Sequence, residues 1–156
     1  MGLKLYYKND DDEFVEVSSD TNDNLNPLIS IHDGKIGSVV TKQLYIRNDD
    51  ESKWYSNIIV KPIDTVGADP YGDIAYNETG WGVKLSDQEN QPSVFEWDDI
   101  NWGQEIDMLN IGSDSLADIT TYYPFWYLES CPPNEDAKIK DDIVINVAYT
   151  ENAVIL

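Results

Sequence analysis

His32 is the only imidazole in the chain and Cys131 the only thiol. Any Ser–His or Cys–His nucleophile pair must therefore be built on His32. It stands in the turn signal His32-Asp33-Gly34, and Cys131 precedes a second turn, Pro132-Pro133. Nothing around either residue supports a reactive thiolate or an activated hydroxyl, so both read as structural. One Cys and one His cannot complete an ordinary zinc site, and one Cys allows no intramolecular disulfide. Glycoside hydrolysis needs two carboxylates flanking a bond. With 30 acidic residues in the chain, a pair is guaranteed by number alone and identifies nothing. Asp20-Thr21-Asn22-Asp23-Asn24 begins like a calcium loop, but Leu25 stands where Gly is needed and Ile31 where the closing acid belongs. Looser oxygen sites at Asp10-Asp11-Asp12 or Asp49-Asp50-Glu51 compete with the simpler reading of solvated loops. Asn77-Glu78-Thr79 matches a glycosylation sequon and, with no secretion signal, is read as chance. No phosphate-binding glycine loop or nucleophile elbow occurs. The expectation is a protein that is not an enzyme, with no catalytic residue, no metal and no cofactor.

Flat aromatic faces are the other candidates, because they stack on sugars. Trp81, Trp97, Trp102 and Trp126 are available, against the competing role of large aromatics in a small core. Trp97 and Trp102 flank Asp98-Asp99-Ile100-Asn101 and are the best placed to be partly exposed, so they are the candidate glycan-stacking pair.

The charge narrows the partners. Thirty acidic residues against ten basic ones give a net charge of −20. Arg47 is the sole arginine. Such a chain repels nucleic acid and anionic membranes and suits a basic partner surface or simple solubility. Self-repulsion at low salt would be relieved by cations. No apolar run follows Met1-Gly2-Leu3-Lys4, so no signal peptide is expected, and no stretch approaches the ~20 apolar residues of a membrane-crossing helix. Synthesis in a cytoplasm is the expectation.

What must hold these residues in place is a β-structure. The apolar fraction is 41% and the aromatic fraction 12%, enough for one real core. A chain of 156 residues fits one domain. Residues 3–7 and 14–17 read as two short strands, and residues 1–26 as an N-terminal arm or hairpin ahead of a 27–156 sandwich domain. Within that body, strands are expected at 28–31, 39–46, 55–63, 81–85, 104–111, 122–128 and 142–149. Residues 94–97 read as a short strand or turn, and 47–52, 64–79, 86–92 and 112–120 as loops. In the 55–63 strand, Ile58, Val60 and Pro62 share a face, and Pro62 marks an edge or a strand exit. Ile143, Ile145, Val147 and Tyr149 give the strongest alternation in the chain. No window carries a convincing helical period. Short β-branched runs with Gly, Pro, Asn and Asp between them predict an all-β, immunoglobulin-like antiparallel sandwich.

The order Leu44-Tyr45-Ile46-Arg47-Asn48, Tyr55-Ser56-Asn57-Ile58-Ile59-Val60-Lys61-Pro62 and Trp81-Gly82-Val83-Lys84-Leu85 resembles structural proteins of tailed-bacteriophage virions. So do Tyr123-Pro124-Phe125-Trp126, Cys131-Pro132-Pro133 and the stretch from Ile139 to Val154. The resemblance spans roughly residues 40–154 and is one of style and strand order. It implies an immunoglobulin-like fold on a capsid, neck or tail, and no catalytic residues. The expected function is a capsid decoration or a neck or tail component of the virion, made in the host cytoplasm. Its partners would be capsid or tail subunits and further copies of itself, without nucleic acid or membrane. Leu3, Leu5 and Tyr6 at one end and Val154, Ile155 and Leu156 at the other are the candidate anchors, through strand edges open to pairing. The alternatives are a carbohydrate-binding sandwich on a phage exterior and, behind it, a hydrolase or lyase with a cluster of perturbed acids.

Overall fold

The computed structural model describes residues 3–18, 28–32, 38–64, 82–98, 100, 102–131 and 138–155. In chain order these form β1 (Leu3–Lys8), β2 (Phe14–Ser18), β3 (Leu28–His32), β4 (Ser38–Asn48), β5 (Lys53–Asp64), β6 (Gly82–Ser86), α1 (Val94–Asp98), β7 (Ile106–Met108), β8 (Tyr123–Cys131) and β9 (Lys138–Ala153). Two antiparallel sheets result. One is five-stranded, in the order β2-β1-β4-β8-β6, and the other four-stranded, in the order β3-β9-β5-β7. The fold is all-β, and among the described residues no helix is long and apolar enough to cross a membrane.

Period-2 alternation fixes which side of each strand faces in. Leu44 and Ile46 on β4 and Phe125 and Tyr127 on β8 point to the four-stranded sheet, which answers with Ile58, Val60, Ile145 and Val147. Each such burial contributes roughly 1.5–3 kcal/mol. The paired face of β5 is as expected, with Ile58, Val60 and Pro62 buried and Lys61 exposed. Pro62 pairs with Ile145 of β9, and the partner on the other side, β7, stops at Val60, so the missing N–H falls where that flank of the ladder has ended. β5 also holds a bulge between Ser56 and Ile59, with Asn57 at φ 53°, a left-handed conformation that Asn tolerates.

Several expectations are corrected. Residues 3–18 do form a hairpin, turned by Asn9, whose side chain accepts the N–H groups of Asp11 and Glu13. It is no arm, because β1 is an interior strand paired with β2 and β4. Arg47 and Asn48, read as loop, end β4 in register with Lys4 and Leu3. The strand expected at 104–111 shrinks to Ile106–Met108, with Ile111 making an isolated bridge to Tyr55. Residues 94–97 are neither strand nor turn but the one-turn helix α1. The reason is a reciprocal N-cap: the Ser93 N–H donates to Glu96 Oε2 at 2.6 Å, and the Glu96 N–H donates to Ser93 Oγ at 3.3 Å.

Candidate functional site: the loop end of the sandwich

One end of the sandwich gathers the β4–β5 turn, residues 87–89, residues 109–122 and the C-terminal residues 154–155. Asn48 knits the turn. Its fully buried side chain donates to the carbonyls of Asp50 and Lys53 and accepts the Asp50 N–H. The 109–122 segment is tied down at several points. Tyr55 and Ile111 exchange both main-chain hydrogen bonds at 2.9 Å. Arg47 Nε donates to the Ile119 carbonyl at 2.8 Å while its guanidinium lies against the Tyr122 ring. Ser113 and Leu116 close a tight turn, entered at Gly112 with φ +81°. The C-terminal stretch docks here too: Val154 N–H donates to Ser52 and Ile155 N–H to Asp114.

Tyr123 is the centre of this end. Its hydroxyl donates to Asp118 Oδ2, and Asp118 Oδ1 accepts the Thr120 and Thr121 N–H groups. Partial burial pushes the Asp118 carboxyl up, but the hydrogen bonds from Tyr123, Thr121 and Thr120 outweigh it and hold it below the usual carboxylate range. Burial and that same bond push the Tyr123 phenol up. The pair is therefore an anionic acceptor with a neutral donor, each occupied by the other.

Two hollows flank Tyr123. One of about 500 Å³ is lined by Asn110, Gly112, Ser113, Leu116, Ala117, Asp118, Ile119, Thr120 and Tyr123. The other, of about 460 Å³, is lined by Asp87, Glu89, Met108, Leu109, Thr121, Tyr122, Tyr123 and Pro124. The Glu89 carbonyl accepts Gln43 Nε2 at 3.2 Å and Trp126 Nε1 at 3.3 Å, which pins its loop to the five-stranded sheet. Leu109 is 82% exposed, Leu116 71% and Ile155 71%. Acids beside exposed aliphatic groups can bind; the lining of either hollow carries neither imidazole nor thiol.

The anchors and rings expected from sequence fall elsewhere. Leu3, Leu5 and Tyr6 are buried in the chain's own fold, which removes them as anchors for a partner. Leu3 and Leu5 alternate onto the core face of β1, and Tyr6 packs edge-on against the Tyr122 ring with centroids 5.2 Å apart. Ile155 is exposed at the loop end, Val154 is half-buried beside it, and Leu156 lies outside the described residues. Trp97 is not a stacking face: it is 6% exposed, and its Nε1 has no hydrogen-bond partner among the described residues. Trp102 is half-buried, with Lys84 Nζ 4.4 Å from its ring centroid. The side chains of His32 and Cys131, residues 20–24 and Asn77 also lie outside the described residues. No group of three or more His, Cys, Asp or Glu is placed to hold a metal among the described residues. Asp49 pairs with Lys4 at 2.8 Å. Asp50 accepts the Ser52 hydroxyl and N–H, which hold its carboxyl below the usual range.

Leu109, Leu116, Tyr123, Asp118, Asp87 and Glu89 were not singled out from sequence. The one available signal was Leu116, a lone large aliphatic in Gly112-Ser113-Asp114-Ser115-Leu116-Ala117-Asp118. No protein-family model, curated protein or solved structure matches the chain.

Proposed function

We propose that this chain is a non-enzymatic structural protein of a tailed-phage virion, an immunoglobulin-like sandwich that attaches to neighbouring capsid or tail subunits as a capsid decoration or a neck or tail component. The observation that carries the adhesive part is the loop end itself, a tied-down surface that presents Leu109, Leu116 and Ile155 to solvent. The virion part is supported by the resemblance in strand order and by the net charge of −20, which keeps such a protein off a packaged genome. Attachment would go through side chains at this end, since Leu3 and Leu5 are already spent in the core. A carbohydrate-binding role draws less support, with Trp97 buried and Trp102 under Lys84.

The test is mass spectrometry of particles banded from a lysate of the encoding culture, alongside light scattering of the purified chain with and without calcium. Peptides of this chain at fixed stoichiometry to the capsid protein are the expected result. Intact particles that contain none of it would overturn the reading.

A further inference from the structure

We infer that the two hollows beside Tyr123 seat an extended segment of a partner protein in which basic and apolar side chains alternate. The inference rests on the adhesive reading above and supplies its face and its partner chemistry. Both hollows are lined by Tyr123, so they adjoin, and one extended segment lying along this end can place side chains in both. A hollow of about 460–500 Å³ has room for one or two side chains, not a folded element.

The chemistry of the lining selects the occupant. Its charged residues are Asp87, Glu89 and Asp118, with no Lys, Arg or His among them. Asp118 is engaged by Tyr123, Thr120 and Thr121. Asp87 and Glu89 make no ion pair among the described residues, and the Gln43 and Trp126 bonds to the Glu89 carbonyl fix the loop that carries them. A cation arriving here meets Asp87 and Glu89, carboxylates with no ion pair among the described residues, on a pre-organised loop. Leu116 in one hollow and Leu109 in the other supply the apolar half, with Ile155 held by Asp114 at the same end; exposed aliphatic groups on a firmly bonded surface mark a contact surface. A second copy is a poorer fit, because it would bring another charge of −20 to the same acids.

The experiment uses the intact chain and three short fluorescein-labelled peptides, alternating lysine–leucine, lysine–serine and glutamate–leucine, read by anisotropy at physiological ionic strength. Only the lysine–leucine peptide is expected to bind well, and its affinity should fall as salt is raised. The Asp87→Asn/Glu89→Gln variant should weaken it about tenfold, in line with two exposed charge pairs. The Leu109→Ser/Leu116→Ser variant should weaken it at least tenfold, from lost apolar contact. The control is Asp10→Asn/Asp11→Asn, which removes the same charge from the β1–β2 turn and should leave affinity within about twofold, since these acids sit outside the hollows. Equal losses in the two charge variants, or lysine–serine binding as tightly as lysine–leucine, would mean the general field of the chain only and would overturn the proposal. So would a dimer of the free chain that the leucine substitutions abolish, since the occupant would then be a second copy. Particle composition reads the virion assignment separately, so failure here leaves that assignment to its own test.

Discussion

The connections on either side of β7 solve opposite problems. The one before it, carrying α1, covers. β6 is an edge strand, yet all five of its residues are buried. Gly103 N–H donates to the Val83 carbonyl at 2.7 Å, Lys84 Nζ donates to the Trp97 carbonyl at 2.8 Å, and the Trp97 ring is buried. An edge protected in this way is closed to strand addition. The connection after β7, residues 109–122, is equally well bonded to its neighbours, but it displays Leu109 and Leu116 instead of burying them. Rigidity and burial are therefore separable in this molecule. A segment held firmly by hydrogen bonds with its aliphatic groups outward is a presented surface, whereas the α1 connection, held firmly with Trp97 inward and Phe95 outward, is a patch on the fold.

The contrast can be broken by mutation. Trp97→Ala should give the largest loss, about 3 kcal/mol or more in urea unfolding, because it removes a buried aromatic from the cover of β6. A loss below about 1 kcal/mol would mean that the cover is held by main-chain bonds alone. Gly112→Ala comes next, at about 2 kcal/mol. The added Cβ would lie 2.9 Å from the Leu116 carbonyl oxygen and 3.1 Å from Trp54 Cβ, at a φ of +81°. Ser93→Ala should cost about 1 kcal/mol, from the lost helix cap. Leu109→Ser and Leu116→Ser should each change unfolding by less than about 0.5 kcal/mol, as exposed substitutions do. A clear loss at either position would show that these leucines serve the fold and not a partner.

The acid limb sharpens the same comparison. Asp118 has its carboxyl below its ordinary value of 3.8 in the folded chain. Its contribution is fully present above that value and is lost as pH falls through the lower, folded one. Near-neutral pH should therefore leave the 109–122 segment ordered, and strongly acidic pH should loosen it before α1. Amide exchange across that range checks the order, and Asp118→Asn should remove the pH dependence of this segment.

Much of the fold was legible because two-residue periodicity is local. Ile58 with Val60, and Ile145 with Val147, name a buried face without any knowledge of the partner strand. Burial from beyond the sheet was not legible. Whether Trp97 or Trp102 is exposed depends on what residues 93–103 fold against, and Lys84, an unexpected buried cation, settles it through bonds to residues distant in sequence. Residues 94–97 read as strand or turn because Val94, Phe95 and Trp97 are strand-favouring types; the Ser93–Glu96 cap that makes them helical came to light only in the structure. The loop end was the least legible. Asp87 and Glu89 follow β6 while Tyr123 opens β8, more than thirty residues on, and only the antiparallel pairing of β6 with β8 brings them to one end.

The most direct test of the presented surface is a titration of isotope-labelled chain with the lysine–leucine peptide, followed by amide chemical shifts. The account predicts perturbations concentrated at Asp87, Glu89, Leu109, Leu116 and Tyr123, with β2 and Phe95 unmoved. Shifts centred on Phe95, the most exposed large aromatic among the described residues, or spread evenly over the acidic surface would contradict it.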